Sequence, residues 1–86
     1  ENMVNNMIVK IFTLKNGLEE IQDVRVIRIL SKEYNLLIMK DYMPIIGNIN
    51  GTIEIETSTE TKKIDNLFAY YVNRNNVFKL IVKESI

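Results

Sequence analysis

The segment Thr52-Ile53-Glu54-Ile55-Glu56-Thr57 alternates strictly between apolar and polar residues. Successive side chains of a strand point to opposite faces. Ile53 and Ile55 therefore share a buried face, and Thr52, Glu54 and Glu56 share a wet one, as in an antiparallel sheet covered on one side. Upstream stands the only proline, Pro44. It has no N–H and pushes Met43 toward an extended backbone, which disfavours a helix through this stretch. The order predicted around it is an apolar strand at 36–39, a loop of Lys40, Asp41, Tyr42 and Met43, then a second apolar run with Ile45, Ile46 and Ile49. A turn is expected at Asn50-Gly51, because Gly adopts positive φ freely and Asn tolerates it.

The rest of the chain repeats this grammar. Residues 7–14 are almost wholly apolar, with β-branched Ile8, Val9 and Ile11, and read as a buried strand. Asn16-Gly17 supplies a turn. In 18–30, Leu18, Ile21, Val24 and Ile27 recur every third residue, yet Val24, Val26, Ile27 and Ile29 are β-branched and lose rotamer freedom in a helix. Two short strands, or one bent strand with a bulge near Val26-Ile27, fit better. Ser31-Lys32-Glu33 is a polar connection. Residues 58–61 turn, 63–72 form a strand, Asn73-Arg74-Asn75-Asn76 turns, and 77–82 closes the chain. Many short strands with turns at this spacing predict an all-β fold, a small antiparallel β-sandwich or flattened barrel of about eight to ten short strands. Residues 1–6 are expected to be a flexible N-terminal extension and 7–86 a single domain.

Composition narrows function. The 86 residues, 47% hydrophobic and 26% charged, suit one globular domain. Lys plus Arg and Asp plus Glu number 11 each. A nucleic-acid binder usually carries a basic excess, so none is expected as partner. No apolar run reaches the roughly 18–20 residues of a membrane span, and Lys40 and Asp41 interrupt the longest candidate, so any membrane association is expected to be peripheral. Residues 1–6 lack the features of a secretory signal. The chain has no Cys and no His. The first mildly favours a reducing compartment, and together they remove most metal-ligand and nucleophile–base constellations. No cofactor is expected.

The ordered pieces around Pro44 resemble the N-terminal domain of the epsilon subunit of F-type ATP synthase. Glu33-Tyr34-Asn35-Leu36-Leu37-Ile38 stands where that family has Glu-Gly-Glu-Leu-Gly-Ile. Pro44 follows at the family's spacing, Ile45-Ile46 stands for its Leu-Leu pair, Ile49 for the next anchor and Asn50-Gly51 for its turn. Residues 8–14, Ala69-Tyr70-Tyr71-Val72, the Asn75-Asn76 turn and the strand from Val77 look like the remaining strands. The departures are specific. Tyr34 and Leu37 replace glycines, Tyr42 stands at the family's His position and Met43 at its Ala. The turn is one residue shorter, and Ala69-Tyr70 replaces a Gly-Gly pair. The chain ends where the family's C-terminal helical hairpin would begin, so the inhibitory and nucleotide-sensing roles of that hairpin are not carried over.

The resemblance implies a non-catalytic central-stalk component at the cytoplasmic face of the membrane. It would pack on the gamma subunit and touch the c ring, coupling rotation without inserting into the bilayer. The loop of Lys40, Asp41, Tyr42, Met43 and Pro44 would face the ring, joined by Glu33; an ordinary surface loop is the competing reading. The alternative for the whole chain is a stand-alone β-sandwich interaction module with a different partner, since fold does not fix function. Glu54 and Glu56 share a strand face but have no third ligand in view, which favours a solvated face over metal or acid–base chemistry. Phe68, Tyr70, Tyr71 and Phe78 read chiefly as packing residues. If their strand is regular, one of Tyr70 and Tyr71 must point outward.

Overall fold

The computed structural model describes residues 6–83. Apart from Asn6, the expected flexible extension lies outside the described residues. Six strands follow in order: β1 (Met7–Thr13), β2 (Gly17–Ser31), β3 (Asn35–Met39), β4 (Ile45–Thr57), β5 (Thr61–Arg74) and β6 (Val77–Val82). Strands β1, β2, β4, β5 and β6 close a ring, and β3 hangs on β2 as an extra strand. Each ring strand is antiparallel to the one before it. An odd number of such strands leaves the first and last pointing the same way, so the closing pair β1–β6 is parallel. The all-β small barrel agrees with expectation, with two corrections. The strands are six among the described residues rather than eight to ten, because β2, β4 and β5 run 13 to 15 residues through bends. The pairing is also not wholly antiparallel.

Bulges turn long strands into a barrel, since an extra residue bends a strand and flips its alternation. In β2 one extra residue falls between the pairs Val9↔Ile21 and Met7↔Val24, and another between Val24↔Thr57 and Val26↔Glu56. Asp23 takes φ 58° at this kink. The first half of β2 therefore lies along β1 and the second along β3. The sequence placed one bulge near Val26-Ile27. It falls one to two residues earlier, so Val24, Ile27 and Ile29 are buried while Val26 is only half-buried.

Two turns behave as their residues dictate. Gly17 takes φ 70° just after the β1–β2 turn, where Thr13 Oγ1 accepts the Asn16 N–H at 2.9 Å. Asn75 and Asn76, at φ 51° and 65°, form the two-residue β5–β6 turn, the left-handed geometry that matches strand twist. Strand β5 thus runs on through Asn73 and Arg74, which the sequence had given to the turn.

Asn50-Gly51 is not a turn. Both residues lie inside β4. Residues 45–50 pair only with β5, whereas from Gly51 onward β4 also pairs with β2. At this corner a Cβ on Gly51 would lie 2.1 Å from the Leu30 carbonyl oxygen. Glycine is required by close backbone approach, not by positive φ. The core inside the ring collects Met7, Val9 and Ile11 from β1, Ile49, Ile53 and Ile55 from β4, Leu67, Ala69 and Tyr71 from β5, and Phe78 and Leu80 from β6, with Ile38 closing it from β3.

Gly51→Ala forces its methyl into a backbone oxygen that cannot rotate away. We expect a loss of about 3 kcal/mol or more in urea unfolding. A loss under about 0.5 kcal/mol, the range of an ordinary surface change, would contradict the corner.

Candidate functional site

The loop 40–44 joins β3 to β4 at one end of the barrel and is pinned on both sides. Asp41 takes φ 66°, a conformation that Asp tolerates better than most residues, and the Tyr42 N–H returns to the Met39 carbonyl at 3.1 Å. The Asp41 N–H donates to Asn76 Oδ1 at 2.6 Å, and Asn76 Nδ2 donates back to Asp41 Oδ1 at 3.2 Å. Asn73, buried at the end of β5, extends Nδ2 to the Met43 carbonyl at 3.5 Å. Lys40, Asp41, Met43 and Pro44 are exposed, with Met43 at 65%. Tyr42 is half-buried and packs on the core. The end of the barrel thus presents a fixed loop whose polar groups face solvent beside an adaptable Met side chain.

Two tyrosine hydroxyls meet where the β2–β3 connection reaches β4 and β5. The Tyr34 hydroxyl lies 2.5 Å from the Asn48 carbonyl, to which it donates, and 3.0 Å from the Tyr71 hydroxyl. It has one proton, so Tyr71 is the donor in the second bond. Tyr71 is buried, and its ring stacks on Phe78 at 5.2 Å between centroids. Gly47 leaves it room, because a Cβ there would come 2.6 Å from the Tyr71 oxygen. Burial pushes the Tyr71 hydroxyl pKa well above its ordinary value, and the Tyr34 hydrogen bond and the nearby Tyr34 and Tyr42 add to this.

The structure does not bring Glu33 to the loop. Glu33 is exposed in the β2–β3 connection, a full strand away from Lys40, about 17 Å for five residues. Glu54 and Glu56 face outward beside Arg28, at 3.9 and 3.0 Å. Among the described residues no group of His, Cys, Asp or Glu could hold a metal ion. Of the aromatic group, Tyr71 and Phe78 are core, while Phe68 and Tyr70 are each half exposed. Tyr70 is thus the outward member of its pair, with Lys83 Nζ 4.7 Å from its ring centroid.

Sequence reasoning missed what the ring closure assembles. Leu18, Phe12, Ile81 and Tyr70 stand abreast on neighbouring strands and are all exposed. They form an apolar row across the outer face. Lys10 and Lys79 stand abreast one row over. The outward parity of Lys79 and Ile81 was readable from their alternation with Phe78 and Leu80, but their neighbours on β1 were not.

No family model matches the chain, and no curated protein matches it. Among solved structures it is similar to a chain in the cryo-EM structure of the central stalk and c ring of the Tetrahymena thermophila mitochondrial ATP synthase. The TM-score is 0.69 at 15% sequence identity, over 91% of this chain. This chain spans 63% of that one. At this identity the likeness establishes the fold.

The Tyr34–Tyr71 pair gives the barrel an alkaline limit. A folded-state pKa above the unfolded value of 10.0 means that the neutral phenol is favoured in the fold. Its stabilisation is complete below about pH 10 and is lost as pH rises beyond it. Thermal melts from pH 8 to 11 should show Tm falling above pH 10. Tyr71→Phe should melt lower at pH 8, having lost a hydrogen bond, but with a flatter alkaline slope. An unchanged slope would remove Tyr71 from the account.

Proposed function

We propose that this chain is a non-catalytic component of the central stalk of a proton-translocating F-type ATP synthase, peripheral to the membrane. In this reading it packs on the gamma subunit and turns the loop 40–44 toward the c ring. The observation that carries it is the fold shared with a chain of the Tetrahymena thermophila central stalk and c ring over 91% of this sequence. The spacing of Pro44 after the strand 35–39 supports the same family, although the turn expected at Asn50-Gly51 is strand.

The physical demands of that role are met by rigidity and complementarity. An element that transmits torque must not yield, and a closed ring of strands is stiffer than an open sheet because it removes most free edges. The loop is held by Asp41–Asn76 hydrogen bonds in both directions, so little ordering entropy would be lost on docking. Met43 is the exposed apolar anchor, with Lys40 and Asp41 as a polar rim. No group in the loop is placed to act as nucleophile or base, and the proposed role asks for none.

One observation favours the second reading, a stand-alone interaction module. The tyrosines at two positions where the chain departs from the family serve internally. Tyr34 is hydrogen-bonded to Asn48 and Tyr71, and Tyr42 packs on the core. Those positions are therefore committed to this barrel's own architecture.

Native affinity purification followed by mass spectrometry should recover gamma and c subunits with the tagged chain. Met43→Asp should cut that recovery about tenfold, the loss of roughly 1.4 kcal/mol of contact energy, while leaving Tm unchanged. Recovery of no ATP synthase subunit would reject the stalk reading in favour of the second.

A further inference from the structure

Two depressions on the outer face join end to end. The first, about 500 Å³, lies beside the pinned loop and is walled by Pro44, Ile45, Ile46 and Val72. The second, about 390 Å³, lies toward β1 and is walled by Lys10, Arg74 and Lys79 with Val77. Val72 and Arg74 line both, so they form one groove with an apolar half and a cationic half. The ladder explains the placement: Ile46, Val72, Lys79 and Lys10 stand abreast on β4, β5, β6 and β1.

The cationic half holds more positive than negative charge among the described residues. Among the described residues ion pairs are made by Arg28 and Lys62, not by Lys10, Arg74 or Lys79. Glu20 stands abreast of Lys10 on β2 and offsets part of this charge, while one of its oxygens also accepts the Gln22 amide. Like charges abreast on adjacent strands are unfavourable, and with Arg74 the groove gathers three cations against the single carboxylate of Glu20. In a chain of zero formal net charge, this is a local excess of positive charge.

We propose that this groove docks an acidic, apolar segment of a partner protein. An apolar side chain seats against Ile46 and Val72, and carboxylates lie along Arg74, Lys79 and Lys10. The inference rests on reading the chain as an interaction module and adds the chemistry of what it takes. A groove with one apolar and one charged end suits a short stretch of peptide. A membrane surface would call for cations spread over a broad face, and single-stranded nucleic acid for an aromatic in the groove to stack on a base. Phe68 and Tyr70, the exposed aromatics of β5, line neither half.

The test is a titration of the full chain, labelled with nitrogen-15, with an acetylated octapeptide alternating leucine and glutamate. The control peptide alternates leucine and lysine, and phosphatidylglycerol vesicles form a third arm. We expect saturating shifts of the Ile46, Val72, Arg74 and Lys79 amides with the glutamate peptide alone, weakening as salt screens the charges. The double variant Lys10→Glu/Lys79→Glu should bind at least tenfold more weakly. Arg74→Ala serves as a second probe should the double variant fail to match the parent Tm. No shifts, shifts mapping elsewhere, equal shifts with the lysine peptide, or binding to the vesicles without binding to the peptide would each overturn the proposal. The titration contains no ATP synthase subunit. Peptide binding with a failed purification would keep the groove and reject the stalk, and the converse would keep the stalk and reject the groove.

Discussion

Strands β3 and β4 both run antiparallel to β2, so they point the same way. Met39, at the end of β3, stands abreast of Val26. Gly51 stands abreast of Ser31 at the far end of β2, and Ile45 lies six residues further upstream in β4. Were β4 straight, Ile45 would lie about 35 Å from Met39 at the usual rise per residue. The connection between them spans about 20 Å at full stretch. Strand β4 must therefore fold back, and it does so at Gly51, where its backbone passes so close to Leu30 that no Cβ fits. The rest of the barrel end follows from that approach.

Once β4 has folded back, its first half pairs with β5 alone, and the loop 40–44 arrives beside the β5–β6 turn. Asn76 can then bind Asp41, and Asn73 can reach Met43. The same fold-back brings Gly47 over Tyr71 and places Asn48 within reach of Tyr34. It also lays Ile46 beside Val72, at the apolar end of the groove whose other end is cationic. The pinned loop, the Tyr34–Tyr71 pair and the groove are thus products of one backbone corner. A module whose interaction surface is set by strand geometry needs little rearrangement to bind.

Much of this was legible in the residues. The alternation through 52–57, the β-branched density of 18–30 and the extended backbone before Pro44 gave the all-β class and the position of the loop. The Asn50-Gly51 pair misled because that dipeptide is the strongest short-range signal for a hairpin. Here the glycine answers a contact with a strand some twenty residues away, which leaves no local trace. The strand count was too high for a related reason, since Asn50-Gly51 and the bulges of β2 bend their strands without ending them. The parallel closure of β1 on β6 follows from the number of ring strands, known only once β3 is seen to hang outside the ring. The cationic end of the groove was hidden by averaging. In a neutral chain Arg74 and Lys79 meet across the β5–β6 hairpin, and Lys10, far away in sequence, joins them only through that closure.

The central claim is that folding β4 back at Gly51 seats the loop 40–44 as a rigid platform against the β5–β6 turn. Native-state hydrogen exchange at the Asp41 and Tyr42 amides tests it most directly. Both amides are in exposed or half-exposed loop residues, yet each donates a hydrogen bond, to Asn76 Oδ1 and to the Met39 carbonyl. The account predicts that both exchange much more slowly than free peptide, and that Asn76→Ala releases Asp41 selectively. Exchange of both at the rate of an unstructured loop would contradict it.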